Sequence, residues 1–336
     1  MRILVLRYSA LGDVVLATSV LEPLRARFPG AELAWVTDPL YAPLLQGLPA
    51  LAEVHALDRG VPGALAALRR RLHGRFDVAI DLQHKVRSAV LAHAAAPQVV
   101  TFRRRTPGRA LLALVGVDPP LVRAHATELY AEALRPLGVT GGPGPTRVHL
   151  SAAARALADD ALGAARGPLV AIAPGARWAT KRWPTERFAA VADALARDGA
   201  GIVLAGGPGD RDAFAELRGH LRAPVAADLS PLPIEALAAA LARVQLLVAC
   251  DSGPVHLAGA VGTPVVALYG PTSPVRWGPA PPGRALSLGL ACAPCSNHGG
   301  EFCPEGHHRC LGDLGVEPVA AAARELLAGR KALATR

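Results

Sequence analysis

The sequence has no long uninterrupted apolar run, few aromatic residues and little methionine. Asp, Arg, Gly or Pro interrupts every apolar stretch well short of the ~20 residues that a membrane-spanning helix needs. Residues 3–6 are too short an apolar run for a secretory signal, because Arg7 and Asp13 interrupt the stretch directly after them. We therefore expect a cytoplasmic protein. Aromatic residues make up 4% of the chain, so Ala, Leu and Val must supply most of its buried surface.

The length and composition predict a folded chain of two domains. At 336 residues the chain is long for a single core, and roughly 100–200 residues per domain makes two domains the expected number. Hydrophobic residues make up 51% of the chain and charged residues 19%, which argues against disorder.

The net charge of +9 is unevenly distributed along the chain. Residues 1–150 carry 18 Lys and Arg against 11 Asp and Glu, whereas residues 151–336 carry 18 against 16. A positive field over the first half suits an acidic partner such as nucleic acid, an anionic membrane surface or an acidic substrate. The alternative is a scattered arginine-rich surface that serves only solubility.

Apolar, strand-like runs alternate with helical patterns along the chain. The strand-like runs are 3–6, 33–36, 78–80, 99–102, 169–173, 201–205, 246–249 and 265–268. The helical patterns include 14–28, 65–72, 187–198 and 234–241. This alternation predicts an α/β fold of two doubly wound parallel-sheet domains with a cleft between them. The densest Gly and Pro run, 138–145, predicts the boundary and gives domains 1–145 and 146–336.

The most informative candidate for a binding site is the turn after the apolar run 246–249. Asp251, Ser252 and Gly253 form this turn, and a proline directly after them predicts the start of a helix. At the carboxyl end of a strand in an open α/β sheet, the free N–H groups of a helix start favour an anion. The turn is therefore predicted to hold phosphate. His256, one turn into the helix, has either an active role beside this anion or a structural one.

A second candidate is the loop directly after the first strand, residues 7–13. Gly12 allows a close turn there, and Asp13 lies where the next helix begins. If the Asp13 side chain faces the cleft, its carboxylate is able to accept a proton from an incoming hydroxyl. The alternative is a capping residue, because Asp is among the residues preferred at a helix amino terminus.

Two further loops come directly after strands of the second half. Residues 174–184 contain three cations, a threonine hydroxyl and two indoles, which suits a pyrophosphate clamp, and the alternative is a solvated basic loop. Residues 205–212 lack the third glycine of a dinucleotide fingerprint, and we interpret them as a backbone wall near a nucleotide. Asp210 in this loop is a candidate ribose contact, although an Asp-Arg-Asp string is also ordinary turn chemistry.

Four of the five cysteines lie close together near the carboxyl terminus. Cys292, Cys295, Cys303 and Cys310 have the spacing C-x2-C-x7-C-x6-C, with three histidines among them. Such a set is able to bind a structural zinc, although the spacing of the second pair is longer than in common zinc sites. The alternative is a set of free thiols, since a cytosolic setting disfavours disulfides.

Four ordered motifs resemble those of a known enzyme family. Residues 7–13, 81–88, 174–184 and 251–257 are similar, in this order, to the motifs of the lipopolysaccharide heptosyltransferases, glycosyltransferase family 9. Residues 292–311 also resemble a segment of many members, so the likeness runs from the first strand to about residue 325. It implies a GT-B architecture of two Rossmann-like domains. The first would bind the acceptor and the second ADP-L-glycero-D-manno-heptose.

The resemblance also implies roles for individual residues. Asp13 is expected to be the general base of an inverting transfer that needs no metal or other cofactor. Taken with the interpretation of the loops above, donor binding is assigned to Thr180, Lys181, Gly206, Gly207, Asp210, Asp251, Ser252, Gly253 and His256. Acceptor binding is assigned to Ser9, Gly12, Gln83, Lys85 and Arg87.

The resemblance also implies an acidic partner for the positive charge of residues 1–150. Inner-core lipopolysaccharide carries carboxylates and phosphates and lies on an anionic leaflet, so a basic acceptor domain would concentrate the enzyme at its substrate. The expected partners are the nucleotide sugar, an acidic glycolipid and, peripherally, the inner membrane, with no nucleic acid. The candidates for the membrane contact are Arg residues 69–71, 75 and 103–105. A solvated face is the alternative for each.

The sequence departs from the family pattern at two places. Ser252 stands where threonine is common, which keeps the hydroxyl, whereas His84 and Lys85 stand where a small or neutral residue is frequent. The second departure leaves the identity of the acceptor open. Two other functions also stay open, a nucleotide-sugar epimerase of the same fold and a basic nucleic-acid binder with a zinc module. Nucleic-acid binding would not need glycines and cations at successive strand ends.

Overall fold

The computed structural model describes residues 1–102, 124–163 and 165–334. The chain divides into two compact units, Met1–His149 and Leu150–Arg336, here called the amino-terminal and the carboxy-terminal unit. Of the helices that the structure describes, none is both long enough and apolar enough to cross a membrane.

The amino-terminal unit contains a five-stranded parallel sheet in the order β3-β2-β1-β4-β5. Its strands are β1 (Arg2–Leu6), β2 (Glu32–Thr37), β3 (Glu53–Ala56), β4 (Val78–Asp81) and β5 (Gln98–Thr101). The helices described in this unit are α1 (Leu11–Ala17), α2 (Leu21–Arg27), α3 (Ala64–Leu72), α4 (Val86–Ala95) and α5 (Ala126–Glu132).

The carboxy-terminal unit contains a six-stranded parallel sheet in the order β11-β10-β9-β6-β7-β8. Its strands are β6 (Leu169–Ala173), β7 (Gly201–Leu204), β8 (Val225–Asp228), β9 (Leu246–Cys250), β10 (Val265–Leu268) and β11 (Arg284–Leu286). The helices described here are α6 (Ala152–Leu162), α7 (Thr185–Arg197), α8 (Arg211–His220), α9 (Ile234–Leu241), α10 (Gly253–Ala260), α11 (Pro274–Trp277), α12 (Arg309–Gly312) and α13 (Val316–Ala334).

The central strands are buried on both faces, because helices cover both sides of a doubly wound parallel sheet. Residues 3–6 of β1 and all of β9 have no exposed surface. In the carboxy-terminal unit the aliphatic core also includes Trp183, whose ring meets that of Phe188 edge to face at 4.9 Å. Its Nε1 donates to the carbonyl of Leu314 at 3.0 Å. The Trp183 side chain therefore belongs to the hydrophobic core, although it lies in the loop 174–184, which the sequence indicated as a candidate ligand-binding loop.

The helical pattern predicted over 14–28 is divided into α1, a 3₁₀ turn (Thr18–Val20) and α2. The hydroxyls of Thr18 and Ser19 donate to the carbonyls of Val15 and Leu16 at 2.6 and 2.7 Å. Such bonds to carbonyls three residues earlier compete with the regular helical pattern. The change in helix geometry is therefore attributed to two adjacent hydroxyl side chains.

The strand order of each sheet reverses beside its first strand. β1 lies between β2 and β4, and β6 lies between β7 and β9. At such a point the loops from neighbouring strands leave toward opposite faces and open a crevice at the carboxyl ends, where open α/β sheets bind ligands. The loops after β1 and β4, and those after β6 and β9, carry most of the residues assigned to a site from the sequence.

Candidate functional site

Asp13 is held by two donors in the crevice of the amino-terminal unit. The guanidinium of buried Arg7 lies 2.6 Å from its Oδ1, and the Tyr130 hydroxyl donates to the same oxygen at 2.9 Å. Asp13 is also the third residue of α1, and its Oδ2 accepts from the N–H of Ala10 at 3.4 Å. The carboxylate therefore has a capping contact and, in addition, a fixed orientation that capping does not require.

Arg7 is a permanent cation beside this carboxylate. Burial by itself would lower its pKa, but interactions with Tyr130 and Asp13 outweigh the burial and raise the pKa above the ordinary value. Its guanidinium also donates to the carbonyl of Leu82 and lies 5.6 Å from the centre of the Tyr130 ring. One arginine thus ties the loop after β1 to the loop after β4 and to α5.

A hydrogen-bond network links the loops after β1 and β4. The Gln83 Oε1 accepts from the N–H groups of Tyr8 and Ser9 at 2.9 and 3.3 Å. Buried Asp81 accepts from the N–H of Gln83 at 3.0 Å and from the hydroxyl of Ser88 at 2.8 Å. Gln83, assigned to the acceptor from sequence, therefore also fixes the shape of the neighbouring loop.

The other residues assigned to the acceptor lie on the same two loops or in the first turn of the helix that follows each loop. Ser9 is partly exposed in the loop that leads into α1, and partly exposed Gly12 is the second residue of α1. Lys85 and Arg87 are exposed at the start of α4, beside Val86, which is 82% exposed. The structure places these side chains at the carboxyl edge of the sheet, and their contact with an acceptor stays a prediction.

Lys181 and Asp251 form an ion pair in the crevice of the carboxy-terminal unit. The Lys181 Nζ lies 2.7 Å from Asp251 Oδ2, and both side chains are largely buried. The hydroxyl of buried Thr272 donates to the same oxygen at 2.6 Å. The loops after β6, β9 and β10 therefore meet at a single carboxylate.

The start of α10 lies directly beside this pair. Ser252 precedes α10, but its hydroxyl donates to the carbonyl of Cys250 at 3.1 Å, so the Ser252 side chain does not cap the first amides of the helix. These amides and the helix dipole provide positive potential next to Lys181. His256, within the same helix, is buried.

The loop after β7 packs against the loop after β6. The Asp210 Oδ2 accepts from the N–H of Gly207 at 2.9 Å. A Cβ added to Gly175 would lie 2.0 Å from Asp210 Oδ1, and one added to Gly206 would lie 2.7 Å from Oδ2. Both glycines therefore permit a close approach to Asp210, which closes its own turn in this structure. Ribose binding by Asp210 stays a prediction.

The cysteines are unpaired and differ in exposure. Cys250 is buried, which raises the pKa of its thiol to about 12, and Cys295 is exposed. In the described part of the chain, the only group of three or more His, Cys, Asp or Glu side chains with ligand atoms within 4.8 Å of one another is exposed Glu186, Glu216 and His220. The cysteine sulfurs of residues 292–310 are not gathered in this way, so a zinc site there would require them to move closer together. That site stays a prediction.

Sequence reasoning missed the partners of the candidate site residues. Tyr130, which binds Asp13, lies 117 positions from Asp13 in the chain. Gly300, whose backbone binds Thr180, lies 120 positions from Thr180. The position of Thr272 could have been noticed in the sequence, because Thr272 comes directly after Gly270 and Pro271, which follow the apolar run of β10. Arg103–Arg105, a candidate for membrane contact, lies outside the described residues.

Comparison with known proteins identifies the family. The sequence profile of glycosyltransferase family 9 (heptosyltransferase) matches residues 65–303. The chain belongs to this family. Lipopolysaccharide heptosyltransferase 1 of Pseudomonas aeruginosa is 31% identical over 94% of this chain and 91% of that protein. Lipopolysaccharide heptosyltransferase 2 of Salmonella typhimurium is 30% identical, with 82% and 84% covered.

A solved structure of the same family has the same fold. The crystal structure of the family 9 glycosyltransferase of Veillonella parvula matches with a TM-score of 0.80 at 26% identity, covering 98% of this chain and 97% of that one. The predicted GT-B fold of two Rossmann-like parallel-sheet units is thereby confirmed, and so is the prediction of a glycosyltransferase of the heptosyltransferase family. Membership of family 9 favours transfer over the epimerase and nucleic-acid alternatives.

Proposed function

We propose that this family 9 glycosyltransferase moves a heptose from ADP-L-glycero-D-manno-heptose to an acidic glycolipid acceptor of the lipopolysaccharide inner core. The observation that carries the proposal is the convergence of Lys181, Asp251 and the start of α10 at the reversal point of the second sheet. The likeness to lipopolysaccharide heptosyltransferases supplies the donor and the acceptor class.

The donor diphosphate is assigned to this crevice on electrostatic grounds. An ammonium group and a set of helix amides both stabilise phosphate oxygens, and they do so most strongly where water is excluded. Lys181 is only 14% exposed, so it is partly shielded from solvent. In the transfer, Lys181 and the α10 amides would stabilise the charge that develops on the leaving ADP. This arrangement supports a transfer that uses no metal.

Asp13 is assigned as the general base. Arg7 and Tyr130 both bind its Oδ1 and fix its orientation, and its Oδ2 accepts from the N–H of Ala10 at 3.4 Å. We assign the oriented Asp13 carboxylate to take the proton of the acceptor hydroxyl as the acceptor oxygen attacks the anomeric carbon. Attack opposite the leaving diphosphate in a single displacement inverts the configuration.

The acceptor is assigned to the amino-terminal unit and the enzyme to the inner face of the cytoplasmic membrane. Exposed Lys85 and Arg87 at the start of α4 suit carboxylate and phosphate groups of an inner-core acceptor. The excess of 18 cationic over 11 anionic residues in the first 150 positions supports peripheral contact with an anionic leaflet.

The proposal is tested by separating transfer from donor binding. We expect Asp13→Asn to lower transfer by about 10²–10⁴-fold, the usual contribution of a general base, while the Kd for ADP-heptose stays unchanged. We expect Lys181→Ala to raise that Kd about 10-fold or more, because a hydrogen bond to a charged group is lost. ADP release measures transfer, and protection against thermal unfolding measures donor affinity.

Matched variants control for the loss of charge. Asp38→Asn removes an aspartate of the same unit that pairs with Arg59 at 3.1 Å, and Arg197→Ala removes an exposed cation at the end of α7, in the same unit as Lys181. Both controls should behave like the unsubstituted protein. Near-normal turnover in Asp13→Asn would remove Asp13 as the base. An unchanged donor affinity in Lys181→Ala would remove the assigned phosphate site.

A further inference from the structure

We propose that the cysteine-rich segment, residues 292–310, positions the donor-binding lysine. Gly299, Gly300 and His308 are the positioning residues, and they act on Thr180 and Lys181 in the loop after β6. The inference rests on the proposed function, because it takes Lys181 as a ligand of the donor diphosphate.

The segment engages every hydrogen-bonding atom of Thr180. The Thr180 hydroxyl donates to the carbonyl of Gly300 and accepts from the N–H of Gly300, both at 2.8 Å. The Thr180 N–H donates to the same carbonyl at 3.1 Å. His308 Nε2 donates to the carbonyl of Thr180 at 2.7 Å. The residue before Lys181 is therefore fixed by contacts that come from residues more than 100 positions away in the chain.

The segment also lies against the stem of Lys181. Gly299 has a φ of +87°, and a Cβ added to it would lie 2.8 Å from Lys181 Cγ, 2.9 Å from Cδ and 3.0 Å from the Cβ of Trp178. The Gly299 backbone therefore forms the wall along which the lysine side chain extends. At the end of that side chain the ammonium lies 2.7 Å from Asp251.

The same segment is anchored to the loop after β10. The N–H of Ser296 donates to the carbonyl of Pro271 at 2.9 Å. A Cβ added to Gly270 would lie 2.7 Å from the Cγ of Leu311 and 3.0 Å from the Sγ of Cys310. Since this loop also supplies the hydroxyl that binds Asp251, the segment supports both sides of the Lys181–Asp251 pair.

The segment and Thr180 also share a cavity. This cavity of about 190 Å³ is lined by Thr180 and, from the segment, by Cys295, Cys303, His308 and Cys310. The hydrogen bonds from Gly300 and His308 hold Thr180 at the edge of this cavity.

Two glycines of the segment provide a matched test. Gly299 and Gly306 both have a left-handed backbone, with φ of +87° and +71°, but an added Cβ at Gly306 meets nothing within 4 Å. Gly299→Ala and Gly306→Ala therefore share the backbone strain, and only the first displaces Lys181. We expect Gly299→Ala to raise the Kd for ADP-heptose about tenfold, as expected for a weakened contact to a charged group, and Gly306→Ala to leave it unchanged.

His308 provides a second, independent test. His308→Ala removes the donor to Thr180, whereas the terminal amide of His308→Gln is able to donate from nearly the same position. Since His308 has a φ of +48°, both replacements meet the same backbone restriction. We expect the first to raise the donor Kd and KM several-fold with kcat at saturating donor nearly unchanged, and the second to restore most of the affinity.

The outcomes distinguish this inference from the proposed function. Binding of ADP-heptose to the unsubstituted protein, with loss in Lys181→Ala, establishes the donor site. If Gly299→Ala and His308→Ala then bind the donor as tightly as Gly306→Ala and His308→Gln, the positioning role is wrong. If Lys181→Ala itself binds normally, the proposed donor site fails first. Thermal unfolding without ligand identifies a variant that does not fold. If Gly299→Ala does not fold, the comparison of donor affinity in His308→Ala and His308→Gln decides the positioning role.

Discussion

Asp13 shows that a structural and a chemical role are able to coincide in one side chain. Its position as third residue of α1 and its contact with Ala10 satisfy the capping alternative that the sequence left open. The contacts from Arg7 and Tyr130 orient the same carboxylate through its other oxygen. Two donors on one oxygen leave the orientation of the carboxylate plane well defined, which a proton acceptor requires.

Tyr130→Phe tests this orientation. The substitution removes the donor that Tyr130 supplies to Asp13 Oδ1, and a hydrogen bond to a charged group contributes roughly 1.5–3 kcal/mol. Because Arg7 remains, we expect kcat to fall about tenfold, at the lower end of that range. The Kd for ADP-heptose should stay unchanged, since Tyr130 belongs to the amino-terminal unit. Steady-state kinetics with an ADP-release assay measures kcat, and protection against thermal unfolding measures the Kd.

A second buried tyrosine controls for the loss of a hydroxyl. Tyr269 is fully buried in the carboxy-terminal unit, and its hydroxyl donates to the carbonyl of Trp277. Tyr269→Phe should lower the melting temperature and should not produce the tenfold fall in kcat that is expected for Tyr130→Phe. A kcat in Tyr130→Phe equal to that of the unsubstituted protein would show that the Tyr130 hydroxyl is not needed to orient Asp13.

At the scale of single residues, the sequence predicted the site residues that come after strands. It missed the residues that contact them from distant parts of the chain. Asp13, Lys181 and Asp251 lie close after apolar runs, and parallel strands bring their carboxyl ends to one edge of a sheet. Tyr130 and Gly300 carry no local signal, because the contact that gives each its role depends on a residue more than 100 positions away.

Among the elements, the central strands were predictable, whereas of the four edge strands only β5 was predicted, from the run 99–102. The runs that predicted β1, β6, β9 and β10 are apolar throughout, because these strands are covered on both faces. The strands β3, β8 and β11 lie at sheet edges and carry partly exposed residues. Charged residues occupy β3 and β11, and the apolar run of β8 is only the three residues 225–227. Edge strands need less burial, so periodicity does not reveal these three.

Charged side chains attach β3 to the rest of its sheet. Glu53 of β3 accepts from Arg2 at 2.8 Å and from Arg75 at 3.0 Å. His55 of the same strand is buried, with Arg71 of α3 3.3 Å from its Nδ1. Its Nε2 lies 3.1 Å from the Glu53 carboxylate but without hydrogen-bond geometry. Burial first, and then Arg71, lower the pKa of His55.

The lowered pKa of His55 predicts a loss of stability in mild acid. Below the ordinary histidine pKa of about 6.5, the unfolded chain binds a proton at this position more readily than the folded chain does. The free energy of unfolding therefore falls as pH decreases from about 6.5 toward the folded pKa of His55. Melting temperatures measured between about pH 7.5 and 5 should fall less steeply in His55→Gln than in the unsubstituted protein.

Exposed His73, directly after α3, offers the matched control. His73→Gln should keep the pH dependence of the unsubstituted protein. Parallel melting curves for His55→Gln and His73→Gln across this pH range would contradict the assignment to His55.

At the scale of the whole molecule, the sequence showed the excess of positive charge in residues 1–150, but it did not predict the strand order of the two sheets. The alternation of strand-like and helical patterns predicted two parallel sheets but did not specify that β1 and β6 each lie at a reversal point. Strand order depends on which crossover packs where, and several orders satisfy the same alternation. The family resemblance added the GT-B architecture of two Rossmann-like domains, but no strand order was predicted from it.

The charge asymmetry predicts salt-dependent binding to anionic membranes. Arg69 and Arg70 are exposed in the last turn of α3 and have no ion-pair partner among the described residues. Each cation near an anionic surface contributes about 1 kcal/mol. We therefore expect Arg69→Ser with Arg70→Ser to weaken binding to vesicles of phosphatidylglycerol and phosphatidylethanolamine roughly 30-fold at low salt. Co-sedimentation measures the effect.

Two cations of the carboxy-terminal unit control for net charge alone. Arg309 pairs with Asp313 at 2.7 Å, and Arg324 pairs with Asp198 at 2.8 Å. Arg309→Ser with Arg324→Ser removes the same charge and should leave vesicle binding nearly unchanged. Equal loss in both double variants would mean that binding reflects net charge and not a surface on α3.

The parallel arrangement of both sheets has a consequence for synthesis on the ribosome. No neighbouring strand pair in the described sheets is a hairpin, so strands that pair are separated in the chain by crossover connections, and the earlier strand waits until the later one is translated. All five strands of the first sheet have been translated by residue 101, whereas β6 keeps one edge open until β9, residues 246–250, leaves the exit tunnel. Nascent chains that stall between β8 and β9 would expose an unpaired, fully apolar strand edge and depend on chaperones.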